Sequence, residues 1–327
     1  MKTTNSLCSK SLALLGGCLL AGSVSSAIAQ VQSDDFNDGN DAGWARYDPL
    51  APFGLGATFS FQNGGYRIQT SYQTGQAANP GRAGTVLPNV YSDFYVSVDV
   101  VNWNDSLPQS AGILARVSTV GLQTTAGYAF TWDRGNTNSA TAGDVDISQI
   151  TGEAPSGVTV SGGDAIHFTP GQSYRMVFIG RGSTLEGRVY QLPDTTTPLI
   201  TVIGSDSTYS SGQNGLVIYD NNRGLSYTDV TFDNFYATDI EPPRIKMTDA
   251  GFGGWELSWP AEASQFVLQS STSLTGSAAD WTDVPPVDII PPSDVIPSYR
   301  YNMGASPENG GMPKQFLRLV RRPIAAN

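Results

Sequence analysis

The sequence predicts an all-β fold, and three observations carry that reading. Glycine (36) and proline (20) are plentiful while 14% of residues are charged. That composition suits tight turns and twisted strands rather than helix surfaces built from Glu, Lys and Ala. Apolar residues recur with period two in short runs bounded by turn formers. Between residues 34 and 239 no segment sustains a helical period over about ten positions. A length of 327 residues suggests about two domains.

The first 29 residues read as an export signal rather than structure. Lys2 and Lys10 give a positive start, Leu12 to Val24 an apolar core, and Ala27-Ile28-Ala29 a small-x-small cleavage site. The apolar run is too short and too broken by glycine to span a membrane. A mature chain from Gln30, secreted or held at the cell surface, is expected. The rival is lipidation: Leu15-Gly16-Gly17-Cys18 resembles a lipoprotein box that would anchor the chain at Cys18. Cys8 and Cys18 are the two cysteines, so ordinary cleavage leaves no disulfide, and stability must come from burial. Loss of Lys2 and Lys10, with no acid removed, takes the net charge from −11 to −13. Such an acidic chain argues against nucleic acid or anionic membranes as partners. It leaves carboxylates that could bind calcium, although most would serve only as solvated surface.

The strands follow in order. Phe94, Val96, Val98 and Val100 alternate with Tyr95, Ser97 and Asp99, and Ile113, Ala115 and Val117 with Leu114 and Arg116. Tyr128, Phe130 and Trp132 share a face, as do Val145 and Ile147. Tyr174 to Ile179 is apolar on both faces, as in the middle of a sandwich. Gly180-Arg181-Gly182-Ser183 is a hairpin turn leading into Leu185 to Leu192. Leu216 to Tyr219 and Val230 to Phe235 close the series. About a dozen strands in residues 30–240 suit a two-sheet jelly roll. Pro242-Pro243 then breaks the chain, since neither proline can donate to a ladder. Alternation restarts at Trp255, Leu257 and Trp259, assigned to a second core. Phe266, Leu268, Trp281, Tyr299 to Met303 and Phe316 to Val320 follow. About six strands in residues 241–327 suit a small fibronectin-like or immunoglobulin-like β-sandwich. Pro285 to Pro297 reads as a loop or ragged edge.

Residues at both ends of the first domain carry a family resemblance. These are Asp34-Asp35-Phe36-Asn37-Asp38-Gly39 with Trp44, then Gly64-Gly65-Tyr66-Arg67-Ile68, and finally Phe232-Asp233-Asn234-Phe235. With them the domain resembles the concanavalin A-like lectin/glucanase superfamily, particularly laminin-G-like domains of secreted bacterial proteins. The resemblance implies that the first and last strands lie side by side. It also implies a structural calcium where they meet, for which Asp35, Asp38 and Asp233 could supply carboxylates. Val230 and Phe232 are in one phase and Phe235 in the other, so a bulge near Asp233 is expected. The alternative use of these acids is to shape turns. The second domain resembles, more weakly, small β modules that end exported bacterial proteins, through Trp255-Glu256-Leu257-Ser258-Trp259-Pro260 and Phe316-Leu317-Arg318-Leu319.

Carbohydrate binding needs an aromatic face for the sugar ring and polar groups for its hydroxyls. Two segments share that form: Trp132-Asp133-Arg134-Gly135-Asn136 and Tyr219-Asp220-Asn221-Asn222-Arg223 each run from an aromatic strand end into a polar loop. Trp132, Asp133, Arg134, Asn136, Tyr219, Asp220 and Asn222 are therefore the candidate site, with Tyr47 and Trp103 as further aromatics. The strong alternative for Trp132 is a core position, since it shares a face with Tyr128 and Phe130. Catalysis has less support. His167 is the single histidine and has no serine elbow or HxH pattern beside it. Glucanases of this fold carry Glu-x-Asp-x-x-Glu on one strand. The nearest segment, Asp144-Val145-Asp146-Ile147-Ser148-Gln149, ends in an amide that cannot act as an acid. The sequence thus predicts a non-catalytic lectin-like protein whose partner is an extracellular polysaccharide or cell-surface glycan. The alternatives are a structural or adhesive envelope protein and, third, a glycan-active hydrolase or lyase using Asp144 and Asp146.

Overall fold

The structure, a computed structural model, describes residues 31–71, 80–135, 143–162, 166–221, 227–251, 254–273, 281–303 and 316–321. The export-signal segment, with Cys8, Cys18 and Gln30, lies outside the described residues. Among those residues the regular elements are strands and short 3-10 turns, so the all-β expectation holds.

The first sixteen strands come in chain order. They are β1 (Val31–Asp34), β2 (Ala45–Tyr47), β3 (Thr58–Gln62), β4 (Gly65–Gln69), β5 (Arg82–Tyr91), β6 (Phe94–Trp103), β7 (Gln109–Thr119) and β8 (Ala126–Asp133). Then follow β9 (Asp144–Thr151), β10 (Ala154–Gly157), β11 (Thr159–Ser161), β12 (Tyr174–Arg181), β13 (Thr184–Gln191), β14 (Ile200–Ser205), β15 (Gly212–Asp220) and β16 (Asp229–Thr238). They form two antiparallel sheets. One has nine strands in the order β11-β14-β13-β12-β6-β16-β4-β3, with β1 also paired to β16. The other has seven in the order β10-β9-β8-β7-β15-β5-β2. Chain neighbours repeatedly cross between sheets, as in a jelly roll.

Period two places the core between the sheets. Val96, Val98 and Val100 on β6 and Met176 and Phe178 on β12 pack in one cluster with Ile113, Tyr128, Phe130, Ile147, Leu216 and Ile218 from the seven-stranded sheet. Fully burying each such side chain stabilises by about 1.5–3 kcal/mol. This interior has to hold a fold in which no described residue is a cysteine. The β12–β13 hairpin turns at Gly182-Ser183, with Arg181 opposite Thr184, and Gly182 supplies φ 55°. Both faces of β12 are covered, because Val177 and Ile179 form a separate cluster with Tyr190 on the side away from the core.

The expected bulge is present. The β16–β6 register shifts between Asp233 and Tyr236, and Asn234 adopts φ 51°. That extra residue resets the phase, so Val230, Phe232 and Phe235 are all buried. On the other edge of β16, β4 pairs with residues 229–232 and β1 with residues 235–238. First and last strands are therefore neighbours. A second bulge lies at Arg116 on β7, with φ 50°. Its guanidinium, 1% exposed, donates to the carbonyls of Ser92 at 2.7 Å, Gly182 at 2.8 Å and Tyr209 at 3.1 Å. One side chain thus ties together turns from both sheets.

Beyond Pro242-Pro243 come β17 (Lys246–Gly251), β18 (Gly254–Pro260), β19 (Phe266–Ser271), β20 (Thr282–Asp283), β21 (Ile289–Ile290), β22 (Ser298–Met303) and β23 (Phe316–Arg321). They form sheets β17-β18-β22-β21 and β20-β19-β23. Trp259, Ala263, Leu268 and Val284 make the core between them. Trp255 departs from expectation. It has the phase of Leu257 and Trp259 but is 44% exposed, at the start of β18 and outside that cluster. The proline-rich segment supplies a two-residue edge strand, β21, paired to β22, in keeping with a ragged edge.

Candidate functional site

The outward face of the seven-stranded sheet holds a cavity of about 210 Å³. Cross-strand register arranges its floor in rows. One row runs Asp144, Asp133, Ser110, Tyr219, Arg82 across β9, β8, β7, β15 and β5. The next runs Asp146, Thr131, Gly112, Val217, Gly84, Tyr47 and ends on β2. A third begins Ser148, Ala129, Leu114, Gly215, Val86. Glycines at the centre of the second and third rows leave a trough between taller side chains. A Cβ at Gly112 would stand 2.1 Å from the Phe130 carbonyl oxygen, so close strand approach also demands glycine there. Leu114 and Ala129 belong to an apolar cluster on this outward face, packed with Val217.

One wall is a charged network. Glu153 sits in the β9–β10 turn at φ 69° and reaches Arg82, four strands away along the order β9-β8-β7-β15-β5. Arg82 Nε and Nη2 donate to the two carboxylate oxygens at 2.9 and 2.7 Å. The Tyr47 hydroxyl and the Gln123 amide, at 2.7 Å, donate to the same carboxylate. Contact across that span requires the twisted sheet to coil, raising opposite corners toward one side. Burial pushes the Glu153 carboxyl up, but Arg82, Tyr47 and the Gln123 N–H outweigh it and hold it below its ordinary range. Burial and the same carboxylate push the Tyr47 hydroxyl well up.

The other wall is acidic. Asp133 accepts hydrogen bonds from the Gly135 amide and the Asn221 amide nitrogen, each at 2.6 Å, and Ser110 donates to Asn221 at 3.0 Å. Asp146 accepts from Thr131 at 3.2 Å and Ser148 at 2.8 Å. Burial, and secondarily the charge of Asp146, raises the Asp133 carboxyl above its usual range. Burial, then Asp133 and Asp146, raises Asp144. Between the walls lies the half-buried ring of Tyr219.

The predicted site residues divide by period two. Asp133 and Tyr219 face this groove, one on each side of Ser110. Trp132 does not. It is fully buried and stacked on Phe168 at 4.3 Å, which in turn stacks on Tyr174 at 4.0 Å. A residue adjacent to an outward one on a strand points inward, so Trp132 offers no face to a sugar. Trp103, edge-on to the same stack, is core too. Asp220 is likewise completely buried, beside outward Tyr219. Arg134 is 9% exposed, and its Nε is bound to Asp105 at 2.7 Å, which makes it a strut of the rim. Asn136 and Asn222 lie outside the described residues. Sequence reading missed Ser110, Thr131, Ser148, Arg82 and Glu153. Alternation along β7, β8 and β9 was the available signal for the first three.

The calcium expectation does not fit the residues assigned to it. Asp35 accepts the Asn37 amide at 3.2 Å and Asp38 the Asn40 amide at 3.1 Å, so both shape turns. Asp233 accepts the Asn234 amide at 2.7 Å. Burial, then the charges of Asp99 and Asp35, raises its carboxyl. Among the described residues no three His, Cys, Asp or Glu side chains gather as a metal would require. His167 Nε2 lies 3.8 Å from Asp105, away from the groove lining.

No protein-family model matches the chain, and no curated protein sequence matches it. Among solved structures it is similar to the carbohydrate-binding module CBM66 from Bacillus subtilis, at 16% identity and TM-score 0.40, over 60% of this chain and 93% of that one. It is similar to lectin II from Ulex europaeus, at 10% identity and TM-score 0.41, over 64% and 97%. A third is the exoplasmic/lumenal domain of VIP36 in its Ca2+-bound form, at 8% identity and TM-score 0.43, over 65% and 91%. Likeness at this level transfers no site or ligand to the chain.

Proposed function

We propose that this is an exported, non-catalytic carbohydrate-binding protein that holds a glycan in the groove on the outward face of the seven-stranded sheet. One observation carries the reading. The groove combines an apolar floor, Val217 and Leu114 beside the Tyr219 ring, with a row of hydrogen-bonding groups at Ser110, Asp133, Thr131 and Asp146. A pyranose needs both. Its C–H face packs on the aromatic and aliphatic floor, and its equatorial hydroxyls donate to carboxylate oxygens. Bonds to ionised acceptors are about twice as strong as neutral ones and fix the ring's orientation.

The carboxylates support binding rather than hydrolysis. Asp146 is engaged by two hydroxyls and Asp133 by two N–H groups. On β9, Asp144 and Asp146 share the outward phase while Gln149 has the opposite one, so the glucanase pattern has no third acid in this groove. An extracellular polysaccharide or cell-surface glycan is the partner this geometry suits. No helix among the described residues is long and apolar enough to cross a membrane.

A glycan-array screen of the purified chain tests the proposal, with Tyr219→Ala as control. Selective binding lost in a folded Tyr219→Ala protein is the expected outcome. A blank array from folded wild type would overturn it and leave the structural or adhesive reading. Reducing ends released from a polysaccharide, and lost on Asp146→Asn, would make the protein an enzyme.

A further inference from the structure

We infer that the groove selects sugars carrying a free amine, such as a glucosamine oligomer, over neutral or acidic ones; this rests on the groove being the glycan site. The argument is one of charge and of donors against acceptors. Among the described lining residues the cation is Arg82, and each of its three nitrogens already donates within the protein. Nε and Nη2 go to Glu153 and Nη1 to the Pro80 carbonyl at 2.9 Å. Both partners of that ion pair are more than nine-tenths buried, so the Arg82 charge is largely neutralised by Glu153 before any ligand arrives.

The opposite wall has the reverse character. Asp133, Asp146 and Asp144 pair with no cation among the described residues, and the groups that bind Asp133 and Asp146 are amides and hydroxyls. The hydroxyl donors are spent within the wall, Thr131 and Ser148 on Asp146 and Ser110 on Asn221, and one Asn221 N–H goes to Asp133. The wall therefore meets a ligand mainly with carboxylate oxygens whose negative charge no described cation balances. An ammonium brings three donors and a positive charge to such a wall, whereas a uronate brings acceptors and like charge. The chain's net charge of −11 adds attraction for a polycation at long range.

Titration calorimetry of the full chain, at one low ionic strength, tests this with oligomers of equal length: glucosamine, N-acetylglucosamine, glucose and galacturonate, with oligolysine beside them. The amine oligomer should bind about tenfold more tightly than its N-acetylated form, and galacturonate not at all. The exposed Asp144→Asn should narrow that ratio while leaving the glucose oligomer unchanged, and Asp146→Asn should narrow it while weakening every oligomer that binds. The preference should also weaken with added salt. Equal affinity for amine and N-acetyl forms, or no response to either variant, overturns the inference while the groove remains a glycan site. Oligolysine binding as tightly as glucosamine overturns it by showing recognition of charge without sugar. If none of the oligosaccharides binds, the groove reading itself fails.

Discussion

Replacing Glu153 with glutamine removes one charge and almost no volume, yet it should unfold the protein much more easily. Glu153 receives four hydrogen bonds, two from Arg82 and one each from Tyr47 and Gln123. Side-chain exposures of 9% and 7% leave the Arg82–Glu153 pair little water. Breaking a buried pair from one side costs about 3–5 kcal/mol, mostly for the charge left behind. The glutamine oxygen can still accept one Arg82 bond, so about 2–4 kcal/mol is the reasoned loss. Urea unfolding at pH 7 measures it as a lower midpoint at unchanged slope. The sign with pH follows from linkage. Glu153 has a folded pKa held below its ordinary value, so its contribution is complete above that value and lost as pH falls through the folded one. Wild type should therefore converge on the variant in acid. A loss below about 1 kcal/mol, or a gap that persists unchanged in acid, would refute the picture of a buried latch across the groove.

Other consequences are as direct. Trp132→Ala should cost about 3–5 kcal/mol and abolish binding only by unfolding the chain, whereas Tyr219→Ala should keep its unfolding midpoint and lose the ligand. Arg116→Met should cost about 2–4 kcal/mol, because three carbonyls lose their donor; thermal unfolding reads it. Gly112→Ala should destabilise by about 1–3 kcal/mol through the contact with the Phe130 carbonyl. Partial desolvation of its carboxyl, then the charges of Asp133 and Asp146, raise Asp144 although much of the residue is exposed, so it opposes folding, weakly, as pH rises past the ordinary carboxylate range. Asp144→Asn should accordingly raise the melting temperature at pH 7, and that gain should vanish in acid.

Composition and period-two alternation made the fold class legible, along with details that depend on that alternation. Phe235, out of phase with Phe232, required a bulge, and the register shift at Asn234 supplies it. The site was half legible for the same reason. An aromatic strand end running into a polar loop was read as one binding surface, but consecutive strand residues face opposite ways. Trp132 and Asp220 went into the protein and Asp133 and Tyr219 onto the groove. Arg82 and Glu153 were not legible, because they meet only through coiling of a sheet whose strand order the sequence does not state. Trp255 has the alternation of a core residue and fails to be one because it lies outside the cluster formed around Trp259.

The central claim is that ligand sits on the outward face of the seven-stranded sheet. Amide hydrogen exchange with and without a glycan that the chain binds places it directly. The account predicts slowed exchange in β8 and β15, around Thr131 to Asp133 and Val217 to Tyr219, with none on the outward face of the nine-stranded sheet. Protection there instead, around Tyr95, Arg175 and Tyr236, would contradict it.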